Sequence, residues 1–261
     1  MDRDAVLELF DAQMRRGARP DGPGARVEHV GGVVRQVGGE GGGAGSAVLW
    51  SGLDAGTADM AITAQVEYFA SRGRDVEWKL YGHDRPADLG ARLRAAGFVP
   101  GDEETLMVAE TGGAAADAAP PDGVVLRDVT DAAGVELMVA VHEQAFGTGT
   151  AKRFRQRCLA QLGCGESPLT AVVALADGLP VSAARLEVVP GTDFAGLWSG
   201  GTVPAWRGRG LYRSLVAHRA RIAARRGCRY LQVDASTQSR PILERLGFVA
   251  LTTTTPYVLR P

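Results

Sequence analysis

The chain has 261 residues, a formal net charge of −1 and 45% hydrophobic residues, so it is long enough for two domains of ordinary size or one large one. The balanced charge excludes nucleic acid as an implied partner. The three cysteines form no CxxC pair, the four histidines lack metal-ligand spacing, and no apolar run reaches the length of a membrane span. We therefore expect a soluble, cytoplasmic protein that has no metal site and does not bind a membrane.

The first half of the chain contains four short apolar runs of the length that β-strands have. The predicted strands are residues 33–37, 47–50, 76–81 and 105–109. A glycine-rich patch at residues 38–45 is typical of a flexible hairpin loop. His83-Asp84 is interpreted as a turn before a helix that starts at a proline and runs over about residues 86–96. Gly97 suits the position after the helix end, and Phe98 begins the chain segment that follows.

A stretch of small residues separates the two halves of the chain. Residues 111–121 show no apolar face of helical or strand period, and they end in Pro120-Pro121. This composition is typical of a linker between two folded parts. We therefore expect a first domain at residues 1–110 and a second domain at residues 122–261.

The second half of the chain contains more predicted elements than the first. Its predicted strands are residues 124–128, 169–176, 180–189, 194–203, 230–234 and 255–259, and three of its predicted helices are residues 132–146, 152–162 and 240–246. The last of these helices is followed by Gly247-Phe248, which repeats Gly97-Phe98 at a distance of 150 residues. This repetition indicates a duplicated α/β (α+β) unit, each copy a mixed central sheet flanked by helices.

Residues 202–215 join a predicted strand to an arginine-rich amphipathic helix through a turn that contains Gly208 and Gly210. Such a turn leaves unpaired backbone N–H groups at the positive end of the helix dipole, where they bind anions. The two glycines let an anion approach the backbone closely, because they carry no Cβ. The turn therefore predicts a phosphate-binding site. The arginines from 219 to 226, further along the helix, are predicted to form a solvated face.

This order of elements resembles the GNAT superfamily of acyl-CoA-dependent N-acyltransferases. The signature of that family is Arg/Gln-x-x-Gly-x-Gly/Ala at the start of the helix after the fourth strand, and here Arg207, Gly210 and Tyr212 occupy its three defined positions. Tyr212 departs from the pattern, which has glycine or alanine there. The resemblance covers residues 122–261. The first half looks like a degenerate second copy, since residues 51–65 contain no such turn.

The resemblance implies that acetyl-CoA is the acyl donor and that coenzyme A lies between the strands that end at Val203 and Asp234. Backbone groups of the strand end would pair with the pantetheine arm, and the turn would hold the pyrophosphate. The implied donor-binding residues are Gly201, Thr202, Val203, Arg207, Gly208, Arg209, Gly210, Leu211, Tyr212, Arg213, Ser236 and Ser239. A backbone N–H near Thr202 or Val203 is the candidate for stabilising the oxyanion.

Transfer of an acetyl group to an amine needs a base that takes the proton of the amine. We favour Glu187 as this base, on a predicted strand where Arg185 and Glu187 alternate with apolar residues, and place Asp234 second, at the end of the strand beside the implied cleft. Two other interpretations stay open. Glu187 would otherwise be an exposed strand carboxylate or the ion-pair partner of Arg185, and Asp234 would otherwise cap the turn that follows it.

The departing thiolate needs a proton donor, which in many relatives is a tyrosine four residues before the Gly-Phe pair. Leu243 occupies that position in this chain, so the usual acid is absent. Tyr257 is the first candidate to replace it, and Ser236 and Ser239 at the start of the following helix are further candidates.

The sequence thus predicts an N-acetyltransferase that moves an acetyl group from acetyl-CoA to a primary amine of a small molecule by direct attack in a ternary complex. Two alternatives remain. One is a non-catalytic protein that binds or senses acyl-CoA, suggested by Leu243 in place of the tyrosine. The other is a protein or peptide N-acetyltransferase. We expect a monomer or a homodimer, and the sequence does not identify the acceptor amine.

Overall fold

The structure is a computed structural model that describes residues 1–22, 24–39, 45–113, 118–162 and 169–260. Parts of the predicted hairpin loop and of the predicted linker lie outside the described residues, as does Cys164. The chain divides into two compact units by its internal contacts. Unit 1 comprises Met1–Met107, Asp234–Arg240 and Ala250–Pro261, and unit 2 comprises Val108–Val233 and Pro241–Val249.

Two segments from the C-terminal part of the sequence therefore belong to unit 1, whereas the sequence predicted a single boundary region at residues 111–121. The division into compact units does not test the predicted domains at residues 1–110 and 122–261, which stay a prediction. It does assign Asp234–Arg240 and most of the last strand to unit 1 rather than to unit 2.

Unit 1 begins with a helix that changes its winding. Helix α1 (Arg3–Phe10) is capped by the Asp2 carboxylate and continues as a π-helix over Asp11–Arg16. The remaining elements are β1 (Arg26–Val30), β2 (Val33–Val37), β3 (Ala47–Ser51), α2 (Ala58–Ala70), β4 (Val76–Tyr81), α3 (Leu89–Ala95), β5 (Val99–Pro100), the start of β6 (Glu104–Glu110) and, as the last strand, β12 (Val249–Leu259). Strands β7 to β11 lie in the intervening sequence.

The sheet of unit 1 contains the strand order β1-β2-β3-β4-β12. Strands β3 and β4 are parallel, and β12 pairs antiparallel with β4, with Tyr257 opposite Trp78. Helix α2 buries Ala58, Ile62 and Phe69, residues at the spacing of one helical face. These side chains pack with Trp78 in a hydrophobic core because burial of their apolar surface stabilises the unit.

Unit 2 contains its own set of paired strands and helices. Its elements are β7 (Val124–Asp128), α4 (Ala132–Phe146), a 3-10 turn (Thr148–Thr150), α5 (Ala151–Leu162), β8 (Thr170–Ala176), β9 (Leu179–Val188), β10 (Phe194–Thr202), a 3-10 turn (Pro204–Trp206), α6 (Leu211–Arg225), most of β11 (Tyr230–Ala235) and most of α7 (Arg240–Arg245). The strand order is β11-β10-β9-β8-β7, and only the β10–β11 pair is parallel among these neighbours.

Helices pack against this sheet through apolar residues at helical spacing. Val135, Met138 and Val139 of α4 enter the main hydrophobic core of the unit. Leu215 of α6 packs in a smaller cluster with Val172 of β8 and Ala184 of β9. The predicted α/β fold with mixed sheets flanked by helices is confirmed. In the described part of the chain, no helix combines the length and the apolar character that crossing a membrane requires.

Candidate functional site

The turn between β10 and α6 lies in unit 2 and has the backbone that its glycines predict. Gly208 has φ +75° and Gly210 has φ +84°, values that side-chain-bearing residues rarely adopt. A Cβ built on either glycine has no other atom within 4 Å, so the space in front of both residues is open. The turn therefore presents bare backbone to an approaching ligand.

Helix α6 has 15 residues and starts directly after this turn. Gly210 is its N-cap residue, and no side chain in the described part of the chain caps its first N–H groups. An uncapped N-terminus of a helix of this length carries a partial positive charge and leaves backbone donors available. The geometry fits an anion such as a phosphate group.

Three exposed arginines surround the turn. The Nε atom of Arg207 donates a hydrogen bond to the carbonyl oxygen of Thr202 over 3.3 Å, and the guanidinium of Arg209 lies 4.5 Å from the centre of the Trp206 ring. Arg213, in the first turn of α6, lines a cleft of about 530 Å³. The other residues that line this cleft are Gly113, Ile242, Arg245, Leu246 and Gly247. The surroundings of the turn are thus cationic, with an apolar wall in the cleft.

Strand β10 is irregular before it reaches the turn. Its register with β9 shifts between Trp198 and Gly201, and Ser199 within this bulge has φ +51°. A Cβ on Gly200 would lie 3.0 Å from Cε2 of Tyr212, and a Cβ on Gly201 would lie 2.7 Å from Cε2 of Phe146. Helices α6 and α4 therefore approach the strand so closely that a Cβ at either position would force the neighbouring ring to move.

The backbone N–H of Val203 is already engaged, because it donates a hydrogen bond to the carbonyl oxygen of Val181 over 3.0 Å. Of the two candidate oxyanion donors, the N–H of Val203 is therefore already used, and a donor near Thr202 stays a prediction. The carbonyl oxygen of Gly201 accepts a hydrogen bond from the Ser182 hydroxyl at 2.7 Å. These two hydrogen bonds hold the end of β10 against β9. The irregular pairing of β10 with β9 is confined to the bulge between Trp198 and Gly201.

Tyr212 occupies the signature position at which the sequence departs from the GNAT pattern. Its ring packs against Gly200 of the sheet, on the inner side of α6. Burial raises the pKa of the Tyr212 phenol, and the positive charge of Arg219 opposes that effect. The Tyr212 side chain thus points toward the sheet of unit 2. Its ring does not occupy the open space in front of Gly208 and Gly210.

Arg219 does not belong to a solvated face, and this part of the sequence prediction is wrong. Only 1% of its surface is exposed, whereas Arg221 and Arg225 are exposed as predicted. Its Nε atom donates to the carbonyl oxygen of Leu215 at 3.0 Å, and its Nη1 atom donates to that of Arg185 at 2.9 Å. Burial lowers the pKa of Arg219 to about 10. Because residues 215 and 219 are one helical turn apart, both face the sheet.

Glu187 lies on β9 opposite Gly196 of β10, also in unit 2. Its side chain is 19% exposed, and its Oε2 atom lies 3.8 Å from Nη2 of Arg157. This carboxylate is therefore partly buried beside a cation. The guanidinium of Arg185 donates from Nη2 to Oε1 of Gln161 at 2.9 Å.

Four further predicted catalytic and donor-binding residues belong to unit 1. Asp234 is buried, with 4% of its side chain exposed, and forms an ion pair with Nζ of Lys79. Tyr257 lies in the hydrophobic core of unit 1 with Trp78. The Ser236 Oγ atom accepts a hydrogen bond from the N–H of Ser239 at 3.3 Å, an arrangement typical of a helix start. Glu187 and the glycine turn thus belong to unit 2. Asp234, Tyr257, Ser236 and Ser239 belong to unit 1.

Residues 134–248 match the family model described as the acetyltransferase (GNAT) family. These residues form a GNAT domain. The resemblance stated from the sequence is thus confirmed. Members of this family use acetyl-CoA as the acyl donor.

Solved structures extend the likeness beyond the GNAT domain. A GCN5-related N-acetyltransferase from Kribbella flavida is 19% identical, with a TM-score of 0.69, over 98% of this chain and 93% of that protein. A conserved protein of unknown function from Staphylococcus epidermidis is 12% identical, with a TM-score of 0.71, over 94% and 96%. A tandem GNAT protein from the clavulanic acid biosynthesis pathway is 13% identical, with a TM-score of 0.61, over 98% and 93%. These likenesses show a shared fold. No curated protein matches the sequence significantly.

Within the GNAT domain, Leu243 is fully buried, and its carbonyl oxygen accepts a hydrogen bond from the N–H of Phe248 at 3.0 Å. An apolar core residue thus stands where the resemblance expects an acidic hydroxyl. Among the residues that the structure describes, no cluster of three or more His, Cys, Asp or Glu side chains could hold a metal ion.

Sequence reasoning missed two features of the GNAT domain. It did not pair Tyr212 with Arg219, although their spacing of seven residues places both on one face of α6. It also did not find the bulge in β10, for which the consecutive glycines 200 and 201 were the available signal.

Proposed function

We propose that the protein is an acyl-CoA-dependent N-acetyltransferase that moves an acetyl group from acetyl-CoA to a primary amine of a small molecule. The observation that carries this proposal is the uncapped start of α6 behind Gly208 and Gly210, where open space meets unpaired donors. The amine would attack the thioester directly in a ternary complex, so the protein needs no covalent intermediate.

The turn supports binding of the cofactor by its phosphates. The N–H groups at the start of α6 would hold the pyrophosphate, with Arg207 and Arg209 at its edge. Each charge-assisted contact contributes about 1–3 kcal/mol when it is shielded from water. The cleft beside Arg213 also contains Arg245 and the apolar side chain of Ile242, a combination that suits the nucleotide end of coenzyme A.

The end of β10 supports the proposed position of the pantetheine arm. Gly201 and Thr202 lie between the turn and the bulge of β10, so an extended arm that leaves the pyrophosphate along this strand would reach the bulge. Backbone groups are locally released from the ladder at a bulge. The oxyanion of the tetrahedral intermediate would therefore be met by the bulge rather than by Val203, whose N–H is engaged.

Glu187 is the proposed base. The variant Glu187→Gln is expected to lower kcat about 100-fold at neutral pH and to leave the affinity for acetyl-CoA unchanged, because an amide cannot take the proton of the amine. Steady-state kinetics over a range of pH would measure the change in kcat. The decline of kcat at low pH that the unchanged protein should show is expected to be absent from Glu187→Gln. Glu143→Gln, at an exposed carboxylate of α4, is the control. A normal kcat for Glu187→Gln would remove Glu187 from the mechanism.

Two measurements test the function itself. Calorimetry with acetyl-CoA should show binding in the micromolar range that many enzymes have for their substrates. A thiol-release assay with polyamines, aminoglycosides, amino acids and peptides should then show turnover with a small amine. Absence of acetyl-CoA binding would contradict the proposal.

The second candidate function is a non-catalytic acyl-CoA-binding protein, favoured by the buried Leu243. It predicts tight binding of acetyl-CoA without turnover of any amine in the panel. Turnover with peptides but not with small amines would instead indicate a protein or peptide N-acetyltransferase. Size-exclusion chromatography would show which of the two expected states, monomer or homodimer, the protein adopts.

A further inference from the structure

Arg219 is a buried cation without a carboxylate partner in the described part of the chain. Two of its nitrogens donate to backbone carbonyl oxygens, and the third, Nη2, has no hydrogen-bond partner among the described residues. Burial of a charge that is neither paired nor fully hydrogen-bonded costs free energy. Groups with such perturbed ionisation are enriched at functional sites. The Nη2 donor of Arg219 is therefore a candidate contact for a ligand.

The unused donor and the Tyr212 ring converge on one point of the sheet. From the position that a Cβ of Gly200 would occupy, Cε2 of Tyr212 lies at 3.0 Å and Nη2 of Arg219 at 3.8 Å. Gly200 lies within the bulge of β10, next to Ser199 with its positive φ. A phenol and a guanidinium thus meet at the irregular part of the strand.

The bulge also lies at the distance from the phosphate turn that the cofactor requires. Strand residues rise about 3.3 Å each, so Ser199 lies at most about 13 Å before Val203 along the chain. A pantetheine arm with its pyrophosphate on α6 and its chain along β10 has comparable length and ends with its sulfur at the bulge. This step rests on the proposed function.

We propose that Tyr212 and Arg219 receive the thiolate of coenzyme A, the Tyr212 hydroxyl as hydrogen-bond donor and the Arg219 guanidinium as the supporting cation. When the tetrahedral intermediate collapses, the C–S bond breaks and its electron pair moves to sulfur. The Tyr212 phenol keeps its proton and donates a hydrogen bond to that sulfur, so coenzyme A leaves as a thiolate beside Arg219. The thiolate then takes a proton from water, and the proton of the amine leaves through the base.

The ionisation states agree with these roles. Burial raises the pKa of Tyr212, so the phenol holds its proton at neutral pH. Arg219, with a pKa of about 10, keeps its charge there. The pair stabilises the charge of the leaving sulfur, so its departure does not depend on a proton from position 243. It also accounts for tyrosine at the signature position, since glycine or alanine there would leave the buried guanidinium beside an empty space.

The test is the ionisation of the coenzyme A thiol in its complex with the protein, followed by the ultraviolet absorbance of the thiolate as pH is raised. This readout requires no acceptor amine. We expect bound coenzyme A to hold about tenfold more thiolate at a given pH than free coenzyme A, because a cation and a hydrogen-bond donor favour the charged form. Tyr212→Phe and Arg219→Met should each reduce this excess, and Arg219→Lys should keep part of it.

Tyr230→Phe is the matched control, since Tyr230 is a second buried tyrosine of unit 2 and stacks on Phe194. Its complex should ionise like that of the unchanged protein. Thermal melting of Arg219→Met and Arg219→Lys would show that both variants fold. A thiol that ionises equally in free coenzyme A and in the complex, or equally in Tyr212→Phe, would overturn the inference. Failure of calorimetry to detect coenzyme A would instead contradict the proposed function.

Discussion

Glutamate in place of Gly210 is expected to raise the dissociation constant for acetyl-CoA more than about 100-fold, which corresponds to about 2.7 kcal/mol. Two physical effects add. A side chain at φ +84° strains the backbone of the turn, and a carboxylate at the open N-terminus of α6 competes with the phosphates and repels them. Isothermal titration calorimetry with acetyl-CoA at low salt would measure the loss.

A matched control separates binding from backbone strain. Gly178, in the hairpin between β8 and β9, also has a positive φ of +79° and open space around a built Cβ. Gly178→Glu should therefore carry similar strain and bind acetyl-CoA normally. Equal affinity of Gly210→Glu and the unchanged protein would show that the start of α6 does not hold the phosphates.

Local patterns predicted much of the GNAT domain. Strand β10 was predicted at residues 194–203 and is Phe194–Thr202, and the helix predicted at residues 132–146 is Ala132–Phe146. Gly97 and Gly247 have φ +94° and +88°, as expected for glycines after a helix end. These features depend on residues close in sequence, so a single chain suffices to find them.

Features that depend on distant residues were not predicted. Asp234 was expected beside a cleft, yet it pairs with Lys79, which lies 155 positions earlier. Tyr257 was considered as an acid, yet the antiparallel pairing of β12 with β4 places it in the core of unit 1. The residues around Asp234 and Tyr257 do not reveal that Lys79 and strand β4 are their partners. Strand pairing between residues far apart in sequence is decided by the packing of the whole unit.

The π-helix of unit 1 was also missed, although it organises the polar network of that unit. Asp11 and Arg15 lie four residues apart in it, and their ion pair is 2.9 Å long. Arg15 also donates to both carboxylate oxygens of Asp84, at 2.7 and 2.8 Å, and to the carbonyl oxygen of Leu49. His83 completes the network through its Nε2 atom, 2.8 Å from Asp11. The predicted turn at residues 83–84 therefore has a second role as an anchor for this helix.

The variant Arg15→Gln is expected to lower the free energy of unfolding of the protein by about 3–5 kcal/mol at neutral pH. Removal of one member of a buried ion pair leaves the opposite charge uncompensated, and both Arg15 and Asp84 are almost fully buried. Urea unfolding followed by circular dichroism would measure the change. Arg16→Gln is the control, because the Arg16–Glu8 pair is 40% and 70% exposed and should contribute less than about 1 kcal/mol.

The pH dependence of stability gives the same network a second test. Burial raises the pKa of Asp11, but the hydrogen bond from His83 and the charge of Arg15 outweigh it and hold the pKa below its ordinary value of 3.8. A carboxyl whose pKa is lower in the folded state stabilises the fold above its unfolded pKa and loses that contribution as pH falls through the folded value. The unchanged protein should therefore lose stability below pH 3.8. Arg15→Gln should lose less of it over the same range, since Arg15 no longer favours the ionised form. Parallel pH profiles for the two proteins would show that Arg15 does not support the Asp11 carboxylate.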